Sequence, residues 1–171
     1  HEIVEDAFNF DVVVRKVHDD IHVLRFIGSI RYTLSPSIER FLDKLFDAGQ
    51  PSGLVIDLTE TDSIDSTNLG LLVGIARRMQ APEPRRVTIV SNREDINAIL
   101  LSMALDEVFD IVEHTGLQTG DTEEVPQEAS DRQALSRTLI AAHRALMEIN
   151  ERNREMFRDV VASLEKDRTG P

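Results

Sequence analysis

The chain has 171 residues, which is enough for one domain with an extension or for two small domains. It contains no cysteine, so disulfides, thiol catalysis and cysteine-based metal sites are excluded. Its formal net charge of −12 disfavours DNA and anionic lipid as partners, because both repel an acidic surface. We therefore expect no nucleic-acid and no membrane partner, and instead a basic or mixed-charge protein surface.

The N-terminal part of the chain predicts a β-hairpin followed by a helix. Two β-branched runs, at 12–14 and 21–27, flank turn residues at 18–20, and Gly28 is predicted to end the second strand. Residues 35–48 then predict an amphipathic helix, because their apolar side chains recur at spacings of three and four.

Strands and helices alternate in the next part of the chain. The apolar run 54–58 predicts a strand buried on both faces, and a helix is expected from 65 to about 79. A strand at 87–90, a helix beginning near 91 and a last short strand at 109–112 follow. The order β-β-α-β-α-β-α-β predicts an α/β fold with a mixed β-sheet in a domain spanning 1–115.

The C-terminal third changes in composition. Residues 116–130 are polar and acidic and predict a linker, 131–166 predict one long amphipathic helix, and 167–171 a short tail. An apolar stripe follows this helix at alternating spacings of four and three. Its members are Leu135, Leu139, Ala142, Leu146, Ile149, Asn153, Met156 and Val160. Such a helix packs back onto its own domain, docks on a partner or forms a homodimer, and the pattern leaves these alternatives open.

The segment that carries chemistry joins the strand at 54–58 to the following helix. Acidic and hydroxyl side chains crowd it, and Ser66 lies where the helix is predicted to begin. Unpaired backbone N–H groups at a helix start favour a capping oxygen, and they also favour a phosphate. Ser66 is therefore interpreted as a helix cap, a role that is compatible with its being a phosphoacceptor.

Other chemistry has little support in the sequence. Asp57, Asp62 and Asp65 suggest Mg²⁺ binding only weakly, because no glycine-rich phosphate-binding motif accompanies them. The five histidines are scattered and form no ligand-like cluster. We expect no metal, no cofactor and no catalytic residue.

The run Asp65-Ser66-Thr67-Asn68-Leu69-Gly70 resembles the Asp-Ser-Ser/Thr-Gly-Leu-Gly signature of STAS domains in bacterial anti-sigma factor antagonists. The predicted order of strands and helices is similar to that fold. Segments at 28–34, 56–61 and 142–157 also resemble the antagonists associated with the general-stress sigma factor.

This resemblance implies a cytoplasmic protein that works by partner switching and is not an enzyme. The unphosphorylated antagonist binds an anti-sigma factor, a Ser/Thr kinase phosphorylates the serine after the signature Asp, and a PP2C-type phosphatase reverses the modification. In the resembling subgroup that phosphatase is fused to a response-regulator receiver domain. Ser66 is then the phosphorylation site. The expected partner-binding residues are Arg31, Tyr32, Thr33, Asp62, Asp65, Thr67, Asn68, Leu69, Leu139, Leu146 and Ile149.

Two positions depart from the family pattern. Asn68 stands where the signature has Gly, and Arg31 stands where many antagonists have a carboxylate in the first loop. Arg31 offers a cation to phosphorylated Ser66 or to acidic partner residues. The alternative function is a STAS scaffold subunit of a larger assembly, such as a stressosome or a lipid-transport complex, without reversible phosphorylation. An enzyme or nucleotide-binding protein is a third hypothesis, supported by little more than the acidic loop.

Overall fold

A computed structural model describes residues 11–80, 85–115, 123–127 and 130–169 of the chain. The predicted hairpin consists of β1 (Asp11–His18) and β2 (Ile21–Ile30), paired antiparallel. The elements that follow are a 3₁₀ turn (Tyr32–Leu34), α1 (Ser35–Asp47), β3 (Gly53–Asp57), β4 (Thr61–Ile64), α2 (Ser66–Arg78), β5 (Thr88–Val90), α3 (Glu94–Ser102), a second 3₁₀ turn (Leu105–Glu107), β6 (Asp110–Val112), β7 (Glu123–Glu124), α4 (Arg132–Met147) and α5 (Glu151–Thr169).

The predicted α/β fold with a mixed sheet is confirmed. Strands within the described residues run in the order β6-β5-β3-β2-β1-β7, with β4 beside β2. The pairs that involve β1 are antiparallel, whereas β2, β3, β4, β5 and β6 pair in parallel. The first half of β2 pairs with β3 and its last three residues pair with β4.

The second strand does not end at Gly28 as predicted but continues to Ile30. Gly28 has a φ of 91°, and the pairing of β2 with β4 shifts register between Gly28 and Ser29. A glycine tolerates this backbone where a side chain would be strained, so the residue makes a bulge inside the strand. The sequence pattern did not predict the short strand β4, because three of its four residues are polar, as is typical of a loop.

The predicted linker contributes to the fold. Within 116–130, the pair Glu123–Glu124 forms β7 at the sheet edge beside β1, and Val125 is buried in the main core. Residues 116–122, 128 and 129 lie outside the described residues, as does the end of the predicted tail at 170–171.

The single long helix predicted over 131–166 is wrong: the chain forms two helices that lie antiparallel as a C-terminal hairpin, α4 with α5. Helix α4 ends at Met147, and α5 begins at Glu151. The side chain of Asn150 lies just before α5 and accepts a hydrogen bond from the backbone N–H of Asn153 at 2.8 Å. The ring contact of His143 with Phe157 and the ion pair of Arg144 with Glu165 fix the antiparallel arrangement.

The core lies between the sheet and the helices. Large buried side chains from the strands meet those of the helices and of the C-terminal hairpin. They include Leu24, Phe26, Ile56, Ile38, Leu42, Leu69, Leu72, Ile96, Leu100, Leu146 and Phe157. The hairpin is therefore part of the same hydrophobic core, so in this structure the C-terminal segment packs in cis, one of the three predicted alternatives.

Over the part of the chain that the structure describes, no helix combines the length and the apolar character needed to cross a bilayer.

Candidate functional site

Asp65 caps the helix that carries the signature. It lies at the N-cap of α2, and its Oδ1 accepts from the backbone N–H of Asn68 at 3.0 Å. Its Oδ2 lies 2.5 Å from the backbone nitrogen of Tyr32, and its own N–H donates to the carbonyl of Ile30. The carboxylate thus satisfies a free donor of α2 and holds the turn after β2 against the start of that helix.

The interpretation of Ser66 as the cap is therefore wrong. Ser66 is the first residue inside α2, and its side chain is left to contact another part of the chain. The Ser66 Oγ lies 2.9 Å from Nε2 of His143, a residue on α4. Ser66 is partly exposed, whereas His143 is buried. The hydroxyl therefore lies at the boundary between α2 and the C-terminal hairpin.

The direction of this hydrogen bond follows from the other ring nitrogen. The Nδ1 of His143 lies 2.7 Å from the carbonyl oxygen of Leu139, which can only accept. The Nδ1 therefore carries a hydrogen, and in the neutral ring Nε2 is an acceptor. The hydroxyl of Ser66 then donates to Nε2, an interaction that a phosphate ester cannot make, because the ester oxygen has lost its hydrogen.

The turn after β2 is held beside Ser66. Arg31, Tyr32 and Thr33 are exposed, and the hydrogen bond from Tyr32 to Asp65 attaches them to the start of α2. The structure therefore brings together first-loop and signature residues that were predicted to bind a partner. The role of these residues in binding stays a prediction.

Asn68, which departs from the family signature, joins two helices. Its Nδ2 donates to Asp65 at 3.1 Å, and its Oδ1 accepts from the hydroxyl of Ser35 at 2.8 Å. Both Asn68 and Ser35 are buried. The amide therefore connects the start of α1 to the start of α2, a role that a glycine at this position could not fill.

The acidic residues around the site have separate protein partners. Asp57 accepts from Arg25 at 3.1 Å and from the backbone and hydroxyl of Thr59. Asp62 is exposed and pairs with Arg93 at 3.0 Å. With Asp65 engaged in capping, the three carboxylates serve three different contacts. Among the described residues, no group of three or more His, Asp or Glu side chains is arranged to hold a metal ion.

Several predicted partner-binding residues lie inside the molecule. Thr67, Asn68 and Leu69 are buried in the first turn of α2, and Leu146 of α4 is buried against the main core. Leu139 and Ile149 are partly buried. In this conformation their side chains contact the chain's own domain, so direct contact with a partner stays a prediction that requires rearrangement.

The predicted apolar stripe leaves the buried face of α5 after Asn153. On α5 the buried positions are Asn153, Phe157 and Val161, whereas the stripe residues Met156 and Val160 are exposed. Asn153 is the polar member of the predicted stripe. It is fully buried, and its Nδ2 donates to the carbonyls of Met103 and Leu146 at 2.8 and 3.0 Å.

His143 is the site residue that sequence reasoning missed. The five histidines are scattered along the sequence, and its partner Ser66 lies 77 positions away in the chain. The available signal was its place on the buried face of the predicted helix, one residue after Ala142 of the apolar stripe. A buried histidine needs a polar partner, and Ser66 provides it.

Comparison with known proteins agrees with this fold. The family model of the STAS domain matches residues 13–119, and the chain therefore belongs to the STAS family. Among solved structures, the chain is similar to a crystal structure of an anti-sigma factor antagonist from Mycobacterium paratuberculosis. That match has 20% sequence identity and a TM-score of 0.53 and covers 60% of this chain and 85% of the other. No curated protein matches the chain.

Proposed function

We propose that this protein is an anti-sigma factor antagonist that acts by partner switching and is controlled by reversible phosphorylation of Ser66. Membership of the STAS family and the similarity to an antagonist structure support the general role. The observation that carries the proposal is that Asp65, and not Ser66, caps the helix α2. The hydroxyl of Ser66 is therefore not required for capping, and Ser66 is a partly exposed residue at the start of the helix.

A phosphate on Ser66 would change the local charge strongly. It adds about −1.5 to −2 charges close to the carboxylate of Asp65. The backbone N–H groups at the start of α2 favour a phosphate on the serine itself. A partner surface built to receive a neutral hydroxyl would meet both like-charge repulsion and a large desolvation cost. Phosphorylation is therefore an effective way to release that partner.

The exposed turn at Arg31, Tyr32 and Thr33 supplies the rest of the docking surface in this proposal. Tyr32 combines an apolar ring with a hydroxyl, which suits an interface anchor. Arg31 adds an exposed cation to this turn, which the hydrogen bond from Tyr32 attaches to Asp65. The expected partners are an anti-sigma factor with Ser/Thr kinase activity and a PP2C-type phosphatase, carried in the resembling subgroup by a response regulator. The general-stress sigma factor is the downstream target, and the cytoplasm is where these partners would meet.

The test is partner capture with three variants of the full chain. Ser66→Ala keeps a neutral residue and should bind the partner and resist phosphorylation, whereas Ser66→Asp should bind at least about tenfold more weakly, a loss of about 1.4 kcal/mol. Ser63→Ala is the matched control, because Ser63 is an exposed hydroxyl three residues earlier on β4. It should be phosphorylated and bound like the wild type. Equal binding by Ser66→Ala and Ser66→Asp would contradict the switch and favour the scaffold alternative.

A further inference from the structure

The C-terminal hairpin covers the face of α2 that begins with Ser66. Helix α4 crosses α2 at Gly70 so closely that a Cβ built on Gly70 would lie 2.0 Å from the carbonyl oxygen of Ala142. It would also lie 2.5 Å from the carbonyl carbon of the same residue. Only a glycine permits this approach, since the obstacle is backbone and cannot rotate away. The two helices can therefore cross at this distance only because residue 70 has no side chain.

The buried face of α4 is matched to the α2 face that it covers. Small residues lie at the crossing, where Ala142 and Ala145 are buried, and Leu146 enters the main core beyond them. At the near end, His143 accepts from Ser66, and at the far end Arg77 of α2 pairs with Glu148 at 2.8 Å. An amphipathic helix thus occupies α2 along its length, from the candidate phosphoacceptor to its last turn.

We propose that this α2 face is a docking surface for an amphipathic partner helix, and that the C-terminal hairpin is a cis competitor which must leave before the partner binds. The inference rests on the proposed function, because it describes how access to Ser66 is regulated. The chemistry of α4 defines the helix that the surface accepts. It has a small residue opposite Gly70, a hydrogen-bond acceptor opposite Ser66 and an acidic residue opposite Arg77.

Two neighbouring glycines provide a matched pair of variants. Gly70→Ala places a methyl group against the backbone of Ala142 and should force the hairpin off. Gly74→Ala adds the same group one turn later on the same helix, where nothing lies within 4 Å of the new Cβ. Both changes replace glycine by alanine, which has the higher helix propensity, so neither should destabilise the helical conformation of α2 itself.

The first measurement is hydrogen exchange on the full-length proteins. In Gly70→Ala, amides of α4 and α5 should exchange at least about tenfold faster than in the wild type, while strands β2, β3 and β5 keep their protection. Gly74→Ala should match the wild type. Unchanged exchange of the hairpin in Gly70→Ala would overturn the proposal. So would loss of protection in hairpin and sheet together, because the hairpin would then be an inseparable part of the core.

The second measurement asks whether the freed surface accepts a helix in trans. The probe is a fluorescent peptide of residues 130–169, and the host is full-length Leu146→Asp, whose carboxylate would have to be buried in the main core and should therefore detach its own hairpin. The peptide should bind this host at least about tenfold more tightly than it binds the wild type, whose α2 face is covered. It should not bind the double variant Gly70→Ala/Leu146→Asp. Equal binding to all three hosts, or to none, would overturn the proposal.

These experiments use no kinase, phosphatase or anti-sigma factor. Failure of the hairpin to detach, or of the peptide to bind, would leave the Ser66 switch intact and remove only the competition. Failure of phosphorylation at Ser66, with the exchange and peptide results as expected, would leave the docking surface in place and remove the switch.

Discussion

Asp65 holds Tyr32 beside the start of α2: its Oδ2 lies 2.5 Å from the Tyr32 backbone nitrogen, while its Oδ1 accepts from Asn68. One carboxylate therefore caps α2 and fixes the exposed turn after β2, so the hydroxyl of Ser66 has no capping role and contacts His143 instead. The stability of the site and its proposed regulation are consequently assigned to two adjacent residues.

Replacing these two residues should separate the roles. Asp65→Ala removes the cap of α2 and should lower the free energy of unfolding by about 2 kcal/mol, at the upper end of measured capping effects. Ser66→Ala removes a single hydrogen bond to His143 and should cost about 1 kcal/mol or less. Urea denaturation followed by circular dichroism measures both values. A larger loss for Ser66→Ala than for Asp65→Ala would contradict the assignment of the cap.

Asn153 should be a strong determinant of the stability of the C-terminal hairpin. Its buried amide donates to the carbonyls of Met103 and Leu146 and so links α5 to the end of α3 and to α4. Asn153→Ala removes both of these hydrogen bonds from a fully buried position and should destabilise the protein by about 2–3 kcal/mol. The exposed neighbour Arg152 provides the control, and Arg152→Ala should change stability by less than about 0.5 kcal/mol. Equal effects of the two changes in urea denaturation would contradict the role of Asn153.

Asp20 should make stability depend on pH in the acidic range. The hydroxyl and the backbone N–H of Ser52 donate to its carboxylate, and they hold the pKa of Asp20 below its ordinary value of 3.8, with His22 contributing. Because the folded pKa is the lower one, this stabilisation is present above the unfolded pKa and is lost as the pH falls through the folded pKa. Asp20→Asn should flatten the fall in stability below about pH 4. Titration of the Asp20 carboxyl by NMR checks the direction, and a pKa above 3.8 would contradict it.

The strands and helices of the domain could be predicted because their sequence patterns are local. The apolar run 54–58 overlaps β3 (Gly53–Asp57) with an offset of one residue, and the amphipathic pattern of 35–48 corresponds to α1 (Ser35–Asp47). The strand β4 was missed because Thr61, Asp62 and Ser63 are polar, and its pairing with β2 depends on the bulge at Gly28. Its existence is decided by the neighbouring strand more than by its own residues.

Neither the C-terminal hairpin nor the contact of Ser66 with His143 could be predicted from local sequence patterns. The break between α4 and α5 contains no glycine or proline, and the signal that marks it is the capping side chain of Asn150. The contact between Ser66 and His143 joins residues 77 positions apart, and the crossing of Gly70 by Ala142 joins residues almost as distant. Sequence spacing carries no information about which face of a helix meets another helix so far along the chain.

The central claim, that a phosphate on Ser66 controls partner binding, is tested most directly by one pair of titrations. The anti-sigma factor captured by Ser66→Ala is titrated with the unmodified full-length protein and with the protein carrying phosphoserine at position 66. The account predicts that the phosphoserine protein binds at least about tenfold more weakly, since the added charge lies beside Asp65 at the centre of the docking surface. Equal or tighter binding of the phosphoserine protein would contradict it.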